Sequence, residues 1–218
     1  MKLISLGNAC KVRESIDRFN GCSQETNIFD WVLSDFSSVV TIFQAISNNN
    51  EKTLFDPNLF VNEGSHPNYI THLCISHKFI NFKSLHDVEN NLETYESNFH
   101  EFINKYIRRS ERLRSLIMKS NEVINFIYFV SLEENIPTKE QMYYFIISIQ
   151  KMNKNLNFKI NILIPPEFSH LKKKISESHI TNHVNSFYMK EKANIDPVLE
   201  QRQNLNWYNL YNILNSSN

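Results

Sequence analysis

The sequence has little glycine and little cysteine. Its 218 residues include only three glycines, and none lies in a G-x-x-x-x-G-K or G-x-G-x-x-G pattern. A P-loop and a dinucleotide-binding fingerprint are therefore excluded. The cysteines Cys10, Cys22 and Cys74 are odd in number and lack C-x-x-C spacing, so the sequence predicts neither a disulfide framework nor a zinc knuckle. We expect no metal centre and no cofactor.

Net charge and long apolar runs are also lacking. The 23 basic and 23 acidic residues cancel, which argues against a nucleic-acid partner or an anionic membrane surface. No apolar run approaches the ~18 residues of a membrane-spanning helix, and the apolar stretch at the start is shorter than that of a signal peptide. We expect a cytoplasmic protein whose substrate is a small molecule, a glycan or a peptide. The sequence gives no indication of its oligomeric state.

Apolar runs suited to strands alternate with stretches of helical periodicity, the pattern of a parallel α/β sheet. The sequence thus predicts one Rossmann-like α/β domain over residues 1–218, with a mostly parallel sheet of about five strands flanked by helices. Strands are expected at 2–4, 69–75, 123–130, 158–164 and 183–189. Helices are expected at 10–20, after Ser34 or Asp35, at 85–119, after Pro137, and at the C-terminus, where residues 180–214 complete the domain. Residues 56–67 resemble an irregular loop.

Cys10 is the best nucleophile candidate in the chain. It lies three residues after Gly7, between the first strand and a predicted helix. Unpaired backbone N–H groups and the helix dipole favour a thiolate at such a helix N-terminus. The alternative is that Cys10 is a small buried apolar side chain, as most free cysteines are.

The ends of the predicted strands supply further candidates, because open parallel sheets bind ligands at the carboxyl ends of their strands. A cysteine becomes a strong nucleophile when a nearby histidine accepts its proton. A thiol, an imidazole and carboxylates could therefore lie along one edge of the sheet. The candidates are Ser5, Gly7, Asn8 and Cys10 after the first strand, Ser76 and His77 after the second, and Ser131, Glu133 and Glu134 after the central one.

Four segments resemble a known family. They are Ser5-Leu6-Gly7-Asn8-Ala9-Cys10, Phe29-Asp30-Trp31, Ser76-His77-Lys78-Phe79 and Arg108-Arg109-Ser110-Glu111-Arg112. In this order, over about residues 3–165, they are similar to the proteins labelled putative papain-like cysteine peptidases, domain of unknown function 1796. The resemblance implies that Cys10 is the nucleophile, that His77 is the general base, and that Asp30 is the orienting acid or a structural anchor. The chain departs from the family pattern at Ile28, where proline is expected, and at Lys78, where an acid is expected.

The family label and the periodicity predict different folds. Papain-like enzymes carry the cysteine on a helix and the histidine on an antiparallel strand in another half of the fold. Here the alternation of strands and helices favours a Rossmann-like sheet, so the label would describe chemistry by analogy.

Several candidates also have a purely structural explanation. His77 could be a strand-end residue bonded to a backbone carbonyl. His72 and Cys74 alternate on one strand and could pack in the core. His179 and His183 have a metal-ligand spacing only if they share a helix, and their neighbours favour a strand. Asp30 lies between apolar residues and needs partners if it is buried, while Trp31 beside it is a candidate substrate-binding residue.

The arginine segment leaves a competing function open. Arg108, Arg109 and Arg112 either lie on a solvated helix face or bind a phosphate or carboxylate through their guanidinium groups. The solvated helix face requires no ligand. The second supports a Rossmann-like transferase that uses a nucleotide-linked or phosphorylated donor, for example to modify a glycan. The leading hypothesis remains a thiol-dependent hydrolase or acyl transferase, and a third is a non-enzymatic interaction protein.

Overall fold

Eight strands form two sheets in the part of the chain that the structure describes. The computed structural model describes residues 2–7, 12–13, 16–17, 25–66, 69–171, 173 and 183–188. The strands are β1 Lys2–Ser5, β2 Val32–Ser34, β3 Phe60–His66, β4 Tyr69–His77, β5 Phe82–Glu89, β6 Ile124–Phe129, β7 Phe158–Ile164 and β8 Val184–Tyr188. The α-helices are α1 Phe36–Ser47, α2 Glu51–Leu54, α3 Tyr95–Lys119 and α4 Lys139–Met152, and short 3-10 helices span Pro57–Leu59, Glu133–Asn135 and Pro166–Leu171.

The first sheet is parallel, as the sequence predicts. Its strand order is β1-β6-β7-β8, and every neighbouring pair is parallel. The continuous apolar residues of β6 and β7 are buried, as expected for strands covered on both faces. The predicted central position of β6 is confirmed, because β6 pairs with both β1 and β7.

The second sheet corrects the prediction of one mostly parallel Rossmann-like sheet. Strands β2-β5-β4-β3 are antiparallel throughout, so the fold is a mixed α/β arrangement with two four-stranded sheets. The expected loop over 56–67 contains the edge strand β3, whose polar residues face solvent. The expected helix from residue 85 begins as β5. In the pairing of β4 with β5, a register shift between Leu73 and Ile75 disturbs the alternation of buried and exposed residues by which a strand is recognised.

Helices on both sheets share one apolar core. Phe43 of α1 packs against Phe126 of β6 and Phe145 of α4, with ring centroids 5.7 Å and 4.4 Å away. On the other sheet, Tyr106 of α3 packs edge-on against Phe82 of β5 at 5.0 Å. Buried apolar residues connect both groups in a single cluster. The two sheets are therefore packed around a common interior.

Local signals in the sequence account for the helix starts. The carboxylate of Asp35 accepts a hydrogen bond from the backbone N–H of Ser38 and caps α1. Thr138 and Gln141 form a reciprocal capping box at α4. Within the predicted helix 10–20, the described residues 12–13 and 16–17 are helical, whereas the predicted C-terminal helix lies outside the described residues.

Two searches of the described residues gave negative results. No described helix combines the length and apolar character needed to span a bilayer. No group of three or more His, Cys, Asp or Glu side chains in the described part of the chain is arranged to hold a metal ion.

Candidate functional site

Gly7 turns the chain at the end of β1. Its φ is 84°, in the left-handed region that favours glycine. The hydroxyl of Ser5 accepts a hydrogen bond from the Gly7 N–H at 3.2 Å. A Cβ at this position would lie 2.2 Å from Oγ of Ser34 and 3.7 Å from Cβ of Phe29. The glycine thus lets β1 end in close contact with the segment that carries Phe29 and Ser34.

The candidate residues predicted at the carboxyl ends of β1 and β6 lie at one edge of the parallel sheet. Because these strands are parallel neighbours, Ser5 and Gly7 share the edge with Ser131 and Glu133. Asn135 donates a hydrogen bond from Nδ2 to Oγ of Ser131 at 3.3 Å, and Glu133 is exposed at the start of a 3-10 helix. Asn8 and Cys10, the remaining candidates of this group, lie outside the described residues.

Residues 28–31 form a tight turn against Gly7. Phe29 is fully buried and stacks on Phe43 of α1 with ring centroids 5.9 Å apart. Trp31 follows with a φ of 68°, a conformation that costs a bulky residue about 1–2 kcal/mol. The Trp31 side chain is half-buried.

Asp30 of this turn is a fully buried carboxylate with three donors. Its Oδ2 accepts hydrogen bonds from Nη1 of Arg13 at 2.5 Å and from the backbone N–H of Asn27 at 2.7 Å. Its Oδ1 accepts one from Nδ2 of Asn27 at 3.1 Å. The need for partners that the sequence predicts for Asp30 is therefore met by Arg13 and Asn27.

Burial raises the pKa of Asp30 to about 6, although the Asn27 N–H and the positive charges of Arg13 and Arg109 lower it in part. The carboxylate is thus ionised at neutral pH, and it gains its proton at a much higher pH than an exposed aspartate. A charge that is incompletely compensated in this way is commoner at functional sites than elsewhere, but also occurs in structural ion pairs.

The arginine segment, residues 108–112, lies on α3, next to the residues that lead into the 28–31 turn. Arg112 donates from Nη1 to Oε1 of Glu25 at 2.6 Å and from Nη2 to the carbonyl of Thr26 at 2.7 Å. Arg109 is buried, and its Cζ lies 5.1 Å from the centroid of the Tyr106 ring. Arg108 is exposed. The described contacts of Arg112 and Arg109 are therefore with the protein's own turn and with a ring, which holds the turn in place.

His77 ends β4, and its hydrogen bonds with the described residues are all with backbone groups. Its Nδ1 accepts from the N–H groups of Phe79 at 3.1 Å and Ile80 at 3.3 Å, and its Nε2 lies 3.1 Å from the carbonyl oxygen of Leu54. Since Nδ1 accepts, Nε2 carries the proton and donates to Leu54. Burial lowers the pKa of His77, so the imidazole is neutral at physiological pH.

The antiparallel sheet separates His77 from the Gly7 turn. Ser34 of β2 pairs with Phe82 of β5, and Lys83 of β5 pairs with Ser76 of β4. Two strand spacings, about 10 Å, thus lie between the backbones of Ser34 and His77. Within the described contacts, Asp30 bonds to Arg13 and Asn27 and has no hydrogen bond to His77.

Cys74, the one cysteine among the described residues, is a buried thiol on the other face of β4. Its Sγ donates to Oε2 of Glu63 at 3.5 Å, and Nζ of Lys83 donates to the same oxygen at 2.6 Å. Burial raises the pKa of the Cys74 thiol. The predicted packing role of Cys74 agrees with this environment, which disfavours the reactive thiolate.

Arg13 is a site residue that sequence reasoning missed. Besides Asp30, it donates from Nε to Oδ2 of Asp17 at 3.0 Å and from Nη1 to the carbonyl of Glu25 at 3.2 Å. The signal was available: within the predicted helix 10–20, a charged residue stands next to the apolar Val12 and three residues before the apolar Ile16, both of which are buried in the structure. A cation on such a helix face needs a buried anion.

One comparison with known proteins identifies a family. A family model described as "Putative papain-like cysteine peptidase (DUF1796)" matches residues 1–167, well over half of the chain. No curated protein matches, and no solved structure matches.

Proposed function

The chain belongs to the DUF1796 family named above, and we propose that it is a thiol-dependent hydrolase or acyl transferase with Cys10 as the nucleophile. The observation that carries the proposal is the Gly7 turn. It ends β1 at the carboxyl edge of a parallel sheet, the edge at which open α/β sheets usually bind ligands, three residues before the cysteine of the family motif. The substrate then has a carbonyl group that a thiolate can attack.

The proposed reaction needs a base, and we assign this role to His77. The thiol of Cys10 gives its proton to the imidazole as sulfur attacks the carbonyl carbon. The protonated imidazole then gives that proton to the leaving group, which departs and leaves a thioester. Water or another acceptor releases the acyl group from the sulfur.

The tautomer of His77 suits this role, but its hydrogen bonds impose a condition. With Nε2–H donating to Leu54, Nδ1 is the basic nitrogen, and its lowered pKa keeps it neutral. Nδ1 already accepts from the N–H groups of Phe79 and Ile80. His77 can therefore accept the proton of Cys10 only if the hairpin that holds Phe79 moves, which must free the lone pair and also close the two strand spacings between His77 and Ser34 beside the Gly7 turn.

Alkylation of the thiols tests the nucleophile. Folded protein is treated with iodoacetamide from pH 5 to pH 10, and the modification of each cysteine peptide is followed by mass spectrometry. We expect Cys10 to titrate well below the pKa of about 8.5 of a free cysteine, whereas buried Cys74 reacts slowly. An ordinary thiol profile for Cys10, together with unchanged cleavage of labelled casein by Cys10→Ala, would contradict the proposal.

The same profile tests the base. His77→Gln is expected to slow the alkylation of Cys10 near neutral pH severalfold, since the thiol loses the neutral imidazole that accepts its proton. The matched control is His72→Gln on the same strand, which should leave the profile in place. If folded His77→Gln protein keeps the wild-type profile, His77 fastens the hairpin and another group is the base.

The transferase alternative has no comparable support among the described arginines. Both terminal nitrogens of Arg112 are used by Glu25 and Thr26, and Arg109 is buried against Tyr106. A phosphate bound by Arg112 would have to displace these hydrogen bonds, and one bound by Arg109 would have to enter the interior beside the Tyr106 ring. Thermal shift with nucleotide sugars at millimolar concentration remains the direct measurement for this alternative.

A further inference from the structure

Arg13 and Gly7 lie at the two ends of the short stretch that carries Cys10, and both ends contact the same segment of the protein. Gly7 lies against Phe29 and Ser34. Six residues later, Arg13 is bonded to Asp30 and to the carbonyl of Glu25. The segment 25–34 therefore holds the chain on both sides of Cys10.

The Arg13 contact is unusually constrained for an arginine. Its side chain is 4% exposed and that of Asp30 is 0% exposed, and Nε is bonded to Asp17 while Nη1 is bonded to Asp30 and Glu25. Charged groups this deeply buried are stable only when they are paired and hydrogen-bonded. Displacement of Arg13 by a few ångströms would leave the charge of Asp30 buried with only the neutral donors of Asn27, so the position of Arg13 is strongly fixed.

Helix α3 in turn holds the segment that receives Arg13. Arg112 bonds to Glu25 and Thr26, and the charge of Arg109 acts on Asp30. Among the described residues, the charges of Arg13 and Arg109 act directly on Asp30, while Asp17 pairs with Arg13 and Glu25 pairs with Arg112. One buried pair thus links the chain on the C-terminal side of Cys10 to α3, the longest helix among the described residues.

We propose that Arg13, acting through Asp30, is a positioning residue that fixes the chain around Cys10 at the end of β1 and thereby sets the reactivity of the thiol. This inference rests on the proposed function of Cys10. It assigns to Asp30 the role of an anchor for Arg13, and it explains why a buried acid lies within the Phe29-Asp30-Trp31 segment without bonding to His77.

The test uses two readouts on the full chain. Hydrogen–deuterium exchange of peptides covering residues 2–13 measures positioning, and the iodoacetamide profile of Cys10 measures reactivity. The variants are Arg13→Gln, Arg13→Lys and the double variant Arg13→Gln with Asp30→Asn, which removes both charges and preserves folding if either single variant unfolds. The control is Lys105→Gln, which breaks the partly buried ion pair with Asp87 on the other sheet.

We expect the Arg13→Gln and double variants to exchange at least tenfold faster over residues 2–13 and to alkylate Cys10 about tenfold more slowly at pH 6. The lysine variant should retain part of the wild-type behaviour because it keeps the charge, and Lys105→Gln should change neither readout. Unchanged exchange and an unchanged profile in folded Arg13 variants would overturn the inference. If exchange rises although wild-type Cys10 already has an ordinary thiol profile, Arg13 positions the chain and the proposed function fails.

Discussion

Two aspartates with buried surroundings, Asp30 in the turn before β2 and Asp87 in β5, have pKa values shifted in opposite directions. Burial raises the pKa of Asp30 to about 6 despite Asn27 and Arg13. Burial also acts to raise the pKa of Asp87, but hydrogen bonds from Lys105, Ser84 and Tyr106 outweigh it, and the pKa is lowered. The two sites differ in how completely the surroundings compensate the carboxylate.

The geometry explains the difference. Asp87 receives three side-chain donors at 2.8, 2.6 and 2.5 Å. Its side chain is 11% exposed, and it borders a groove of about 200 Å³. Asp30 has no exposed surface and shares Arg13 with Asp17 and Glu25. The three donors around Asp87 stabilise its charged form well. The donors around Asp30 stabilise its charged form less, so its pKa lies close to neutral pH.

Removal of each carboxylate tests this contrast most strongly. Asp30→Ala leaves Arg13 charged and buried, so the free energy of unfolding at pH 7 should fall by about 3–5 kcal/mol. Asp87→Ala should cost about 1–3 kcal/mol, because Lys105 is 27% exposed and can turn to solvent, leaving mainly the hydroxyls of Ser84 and Tyr106 unpaired. Urea unfolding measures both. Equal losses would show that the two sites are compensated alike.

Two glycines allow a second matched comparison. Gly7 and Gly64 have φ values of 84° and 89°, so alanine is strained at both. An added Cβ meets Oγ of Ser34 at 2.2 Å at Gly7 and nothing within 4 Å at Gly64. We expect losses of about 2–3 kcal/mol for Gly7→Ala and about 1 kcal/mol for Gly64→Ala. Ser34→Ala should recover part of the Gly7→Ala loss; no recovery would mean that backbone strain alone is responsible.

The two sheets differ in how well the sequence predicts them. The parallel sheet was predictable because β6 and β7 are continuous apolar runs bounded by turn and helix signals. The antiparallel sheet was not, because β3 carries Asn62, Glu63 and Gly64 on an exposed edge. In β5, Leu85 and Val88 have a spacing that also fits a helix. Period-2 alternation is weak wherever an edge strand or a bulge interrupts it.

The site was predictable in its residues more than in its connections. Gly7 and the buried Asp30 follow from chain position and from the apolar neighbours of the acid. The partner of Asp30 does not follow, because the 17-residue separation from Arg13 is closed by tertiary packing and leaves no spacing rule in the sequence. The orientation of His77 toward Leu54 depends on the hairpin geometry for the same reason.

The pH dependence of stability is the smallest expected effect, and it tests the opposite pKa shifts of Asp30 and Asp87 most directly. Because the pKa of Asp30 is raised in the folded state, the folded protein binds a proton near pH 6 that the unfolded chain binds only near 3.8. Stability from this group therefore increases as the pH falls from 7 to 5, by about 1 kcal/mol. Asp87 has the opposite sign: its lowered pKa gives stability that is present above about pH 4 and lost only below it.

The difference in unfolding free energy between wild type and Asp30→Asn should thus grow by about 1 kcal/mol between pH 7 and pH 5, while the difference between wild type and Asp87→Asn stays constant. A constant difference for Asp30→Asn would place its folded pKa near the unfolded value and would mean that Arg13 compensates the charge fully.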